Sequence, residues 1–107
     1  MKRNFGLTAV LLGALFILPG TTAGAAFEAA NGKTLAEKWC SSCHLVSPDQ
    51  AKASADAPPF ASIAERTDED LDRLAFFLLD PHPVMPNFSL SRDQITDLVA
   101  YIKSLKQ

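Results

Sequence analysis

The residues with the most chemistry in this chain are Cys40-Ser41-Ser42-Cys43-His44. Two thiols three positions apart lie on one helical turn, so each can add to a vinyl group of the same porphyrin. A histidine immediately after them then lies under the iron. Cys-x-x-Cys-His is for this reason an attachment motif for covalently bound haem. The imidazole of His44 would be the proximal ligand, and ligand type and surroundings are the levers that set what haem iron does. Cys40 and Cys43 are the only cysteines of the sequence, so no second pair remains for a structural disulfide.

Two further stretches carry residues that can act on such a group. An axial histidine needs its other ring nitrogen held, commonly by a backbone carbonyl, if the ring is to keep its tautomer and orientation. The candidate is the carbonyl of Pro58 in Ala57-Pro58-Pro59-Phe60, where the stiff Pro-Pro pair fixes its direction. Further on, Pro81-His82-Pro83-Val84-Met85-Pro86 has three prolines in six positions. It cannot continue a helix, but its prolines restrict the unfolded chain and make an extended loop easier to order. Such a loop can hold one side chain against an iron.

Helices must position these groups. Gly32, Leu35, Ala36 and Trp39 recur at i, i+3, i+4 and i+7, one face of a first helix that delivers Cys40. Gly32 weakens a helix but lets another cross in close contact. From Leu45 to Pro59 the composition is Ser, Pro, Asp, Ala and Lys without apolar periodicity, a loop around the haem edge. Phe60, Ile63 and Ala64 predict a short helical turn. Thr67 is the expected cap of a middle helix, with Asp68, Glu69 and Asp70 at the positive end of its dipole. Leu71, Leu74, Ala75 and Leu78 line its apolar face, and Phe76, Phe77 and Leu79 widen it.

Asp80-Pro81 ends that helix. The last segment opens with Ser91 as N-cap, Gln94 at the reciprocal capping-box position, and Leu90 and Ile95 as the hydrophobic staple. Ile95, Leu98, Val99, Ile102 and Leu105 form its inward stripe, with Tyr101 at the margin. Lys103 and Lys106 suit its negative end. This terminal helix is expected to cross the first near Gly32. No strand-like alternation, repeat, phosphate-binding glycine loop or hydrolase constellation is present.

The chain has 107 residues and a formal charge of −2. Lys2 and Arg3, the apolar stretch from Phe5 to Leu18, the Pro19-Gly20 break and the small residues Ala23-Gly24-Ala25 read as a secretory signal peptide over residues 1–25. Residues 26–107 then form one domain. A chain that small buries a thin core and gains from a staple, which a large apolar disc supplies. Loss of Lys2 and Arg3 leaves eight basic against twelve acidic residues, a mature charge of −4. That balance disfavours nucleic acid and favours partners with a basic docking face.

Taken together, these residues resemble class I c-type cytochromes over essentially the whole mature chain. The resemblance rests on Cys40-Ser41-Ser42-Cys43-His44 at the end of a first helix, followed by Val84-Met85-Pro86 and a C-terminal helix. It implies a small all-α fold of short helices wrapped around one haem c, with N- and C-terminal helices crossing. Haem would be bound through Cys40 and Cys43, and iron held by His44 and Met85. The turn that holds the proximal histidine in that family is similar to Ala57-Pro58-Pro59-Phe60, with Ala where the family has Gly. An aromatic residue there often faces the helix-crossing glycine, and Tyr101 and Trp39 are both available.

The implied activity is one-electron transfer in the periplasm by a monomer, not an enzyme, between redox protein partners: a dehydrogenase donor and an oxidase or reductase acceptor. No membrane association is expected once residues 1–25 are removed. Without Met1, the candidates for the sixth position are Met85, His82 or nothing. An open position would make a gas sensor or small peroxidase, and a cytochrome subunit of a larger redox complex is a further alternative. A thioredoxin-like pair lacks its strand–helix context. A zinc site from Cys40, Cys43, His44 and His82 lacks the usual paired spacing.

Overall fold

A computed structural model describes Gly20 and residues 23–54, 56–66, 70–81 and 83–107. The chain folds into α1 (Ala23–Trp39), α2 (Phe60–Arg66), α3 (Leu71–Leu79) and α4 (Arg92–Ser104), and the described residues contain no strand. The expected signal peptide lies outside the described residues except for Gly20 and the first residues of α1. Among the described residues, no helix is long and apolar enough to cross a membrane.

α4 is the hub. Among the described residues, it is the helix whose backbone runs close to each of α1, α2 and α3. Its start is set locally, as expected: Ser91 Oγ accepts from the Gln94 amide, and the Gln94 side chain accepts from the Ser91 amide. One such cap is worth about 1 kcal/mol. Ile95, Leu98 and Ile102 are buried, and Val99 and Leu105 are partly so, which is the predicted stripe. The described residues of the loop between Leu45 and Pro59 also lack helix and strand, as the composition predicts.

Three expectations are corrected. The cap expected at Thr67, itself outside the described residues, is made by Asp70, whose carboxylate accepts from the Arg73 amide at 2.8 Å. Asp70 combines cap and dipole partner in one residue, so the helix starts three residues later. Phe76, Phe77 and Leu79 do not widen the buried face; they are exposed. Leu74 is buried and Leu78 partly so, and at 3.6 residues per turn positions 76, 77 and 79 project away from that row. Tyr101 is not marginal but in the core, where its hydroxyl donates to the Val46 carbonyl at 2.6 Å.

At Gly32 helices α1 and α4 cross in close contact. A Cβ on Gly32 would fall 1.9 Å from the Asp97 carbonyl oxygen and 2.7 Å from Tyr101 Cβ. Tyr101, rather than Trp39, is therefore the aromatic residue set against this glycine. Helix propensity favours Gly32→Ala by about 1 kcal/mol. Overpacking against backbone that cannot swing aside costs about 1–3 kcal/mol or more and should win. Gly32→Ala is accordingly expected to lower the denaturant midpoint of the haem-loaded protein; a midpoint at or above wild type would show that α1 and α4 can separate cheaply.

Candidate functional site

The cysteine-histidine motif prolongs α1. Cys40 N donates to Ala36 O at 2.8 Å, and Cys43 N and His44 N both donate to Cys40 O, at 3.1 and 2.8 Å. Residues 40–44 therefore wind on as helical turns, and the two thiols differ in environment. Cys40 is buried and Cys43 exposed. Burial, with Cys43 nearby as a lesser cause, pushes the Cys40 thiol up to about 11. As a free thiol, Cys40 is thus seldom ionised, and Cys43 is the accessible member of the pair.

His44 is oriented from the loop. Its Nδ1 lies 2.7 Å from the Pro58 carbonyl oxygen. A carbonyl only accepts, so Nδ1 carries the proton and Nε2 keeps its lone pair for a ligand. The Pro58 segment is itself held, because Phe60 N donates to Leu45 O at 2.9 Å. The Phe60 ring tilts against His44 at 5.3 Å and against Tyr101 at 6.5 Å between centroids. A line of rings thus runs from the Gly32 crossing to the imidazole.

A cleft of about 270 Å³ opening to solvent lies beside the motif. Cys40, Cys43, His44, Pro58 and Met85 all line it. The residues named from sequence are brought together on one cleft, and only His82 lies outside the described residues. The donor set fits a covalently bound haem: two thiols on one turn, an imidazole with a free Nε2, and a thioether.

A model of the cytochrome c family matches residues 29–106. The chain belongs to the cytochrome c family. Cytochrome c-552 of Bradyrhizobium diazoefficiens is 51% identical over 92 residues, which cover 86% of this chain and 88% of that protein. No solved structure gives a significant match. The protein is thus an all-α cytochrome c with haem c as its covalent cofactor. It is an electron carrier rather than an enzyme, and its partners are redox proteins.

Two residues of this cytochrome's site were not singled out from sequence. Gln50 braces the loop: its Nε2 lies 2.8 Å from Ser41 O, 3.0 Å from His44 O and 2.8 Å from Lys52 O, while its Oε1 accepts from Val46 N. Those partners lie within nine residues of Gln50, yet a lone Gln in a polar loop gives no sign of which groups it will gather. Phe88 also lines the cleft. Its sign was legible, since it is an isolated aromatic among Pro86, Asn87 and Ser89.

Tyr101 joins this site to the core, since Val46 lies two residues after His44. Burial, then the charges of Glu37 and Asp49, raise its phenol above the usual value of 10. Above pH 10 the unfolded chain therefore releases a proton that the folded one keeps, so stability falls as pH rises. Tyr101 is the only tyrosine, which makes the effect assignable. Tyr101→Phe should be about 1–3 kcal/mol less stable at neutral pH through the stranded Val46 carbonyl. It should also decline less steeply above pH 10. Parallel stability curves for the two proteins, followed by denaturant titration across pH, would remove this role from Tyr101.

Proposed function

We propose that this cytochrome is a periplasmic electron carrier with one haem thioether-linked to Cys40 and Cys43, and with His44 and Met85 as axial ligands. The observation that carries the reading is the 2.7 Å contact from His44 Nδ1 to Pro58 O on a cleft that Met85 also lines. Haem bound there supplies one-electron chemistry at iron that keeps its ligands in both oxidation states.

The chain's residues do the rest. Pro58 holds His44 in the tautomer that presents Nε2, and its hydrogen bond strengthens the imidazole as a donor. The Met85 thioether is a soft ligand that favours the reduced state and so raises the potential. Ligands that stay in place keep rearrangement small, which suits repeated one-electron transfer. Residues 1–25 act as a cleaved signal for export, and residues 26–107 are the mature domain. The mature charge of −4 suits a monomer that meets a dehydrogenase donor and an oxidase or reductase acceptor through basic faces.

Covalent attachment is tested by extraction. Acidified acetone should leave the haem on the exported wild type, and Cys40→Ala, Cys43→Ala chains should not mature; ready extraction from wild type would sink the thioether assignment. The sixth ligand is tested by spectroscopy. The oxidised protein should show the weak red absorption of a sulfur–iron bond and refuse carbon monoxide when reduced at neutral pH. Met85→Ala should abolish that band, lower the potential and admit exogenous ligands, whereas His82→Ala should leave all three nearly unchanged. The reverse pattern would transfer the role to His82, and rapid carbon monoxide binding by wild type would point to a sensor.

A further inference from the structure

Residues 83–90 carry Met85, yet among the described residues their hydrogen bonding is internal: Ser89 N donates to Asn87 Oδ1 at 2.8 Å. Val84 is 89% exposed. Leu90 packs against the core at the far end of this segment, and the prolines stiffen the rest. Nearer Met85 the attachment is aromatic. Phe88 stacks on Trp39 with centroids 6.0 Å apart and ring planes 6° from parallel, within the range of offset aromatic pairs. Lys38 Nζ lies 5.3 Å from the Trp39 ring centroid, adding a cation to the group.

The backbone around Phe88 is arranged for that contact. Asn87 forms its side-chain turn on one side, and Ser89 on the other takes φ +52°, a left-handed conformation rare for a residue with a Cβ. Trp39 is the last residue of α1 and directly precedes Cys40, so it shares the rigidity of the turn that bears the thiols. A ring seated on it ties the Met85 segment to the motif, with only Pro86 and Asn87 between Met85 and Phe88.

We propose that Trp39 and Phe88 form an aromatic clip whose role is to position the Met85 segment against the Cys-x-x-Cys-His end of α1. The consequence for iron rests on Met85 being the sixth ligand. A thioether donor competes with exogenous ligands only as well as its chain is pre-placed, because a segment already held loses less freedom on ligation. Phe88 and Trp39 act on the iron through Met85, as positioning residues.

The test uses the haem-loaded protein and imidazole as the competing ligand. Phe88→Ala and Phe88→Leu should each raise the affinity of the oxidised protein for imidazole by about two- to tenfold, the worth of an aromatic pair. Trp39→Ala should do the same, the double variant should add little, and Phe88→Tyr should stay near wild type. In a Met85→Ala background, Phe88→Ala should have no further effect. Unchanged imidazole affinity in both Phe88→Ala and Phe88→Leu, or effects of Trp39→Ala and Phe88→Ala that simply multiply, would overturn the proposal. Failure of the Met85 assignment looks different, because wild type would then bind imidazole as tightly as Met85→Ala. In that event a double-mutant cycle on thermal unfolding decides the clip: coupling between positions 39 and 88 upholds it, and additivity removes it.

Discussion

Backbone-to-backbone contact at Gly32 is the constraint on which the other parts depend. α4 alone touches all three remaining helices, and the place where it lies on α1 is the place where α1 has no side chain. Once that crossing is made, Tyr101 is fixed beside Gly32 and its hydroxyl reaches Val46. α2 and α3 are then located by their own contacts with α4. The arrangement leaves the end of α1 and the connecting segments free to border a cleft instead of filling a core.

The imidazole of His44 inherits its place from this crossing by two routes. One runs through rings, Tyr101 to Phe60 to His44, by van der Waals contact. The other runs through polar groups: Pro58 O on Nδ1, and Gln50 gathering carbonyls from both sides of the histidine. Two amide hydrogens on Gln50 serve three carbonyls within 3.0 Å, so the loop is braced around one side chain. Apolar contacts set how far the ring stands from the core, while hydrogen bonds set its rotation and tautomer. Neither route needs an ion pair.

Legibility in the sequence followed the range of the interaction. The capping box at Ser91 and Gln94 is a local device, and it was read correctly from four residues. The motif, the proline loop and the carbonyl of Pro58 could be named because each carries a backbone or spacing rule of its own. Thr67-Asp68-Glu69-Asp70 offers several caps in a row, and a local rule cannot choose among them. The run from Leu74 to Leu79 is apolar on every side, so periodicity could not say which face α4 would cover. Helical spacing puts Tyr101 at the margin of the stripe, and the carbonyl that lets its hydroxyl be buried lies 55 residues away. Gln50 has near partners, two to nine residues away, but nothing in a polar loop marks which side chain gathers the carbonyls.

The contact between α1 and α4 has a further consequence for how such a chain can change over generations. With both terminal helices pinned together, the stretch from the end of α1 to the start of α4 is topologically a closed ring. The entropy of closing a ring grows only with the logarithm of its length, about 0.6 kcal/mol for a doubling. Insertions and deletions between the inner helices are therefore tolerated far better than a single methyl at the crossing. Variation in surface shape can accumulate along the ring while the clasp stays as it is.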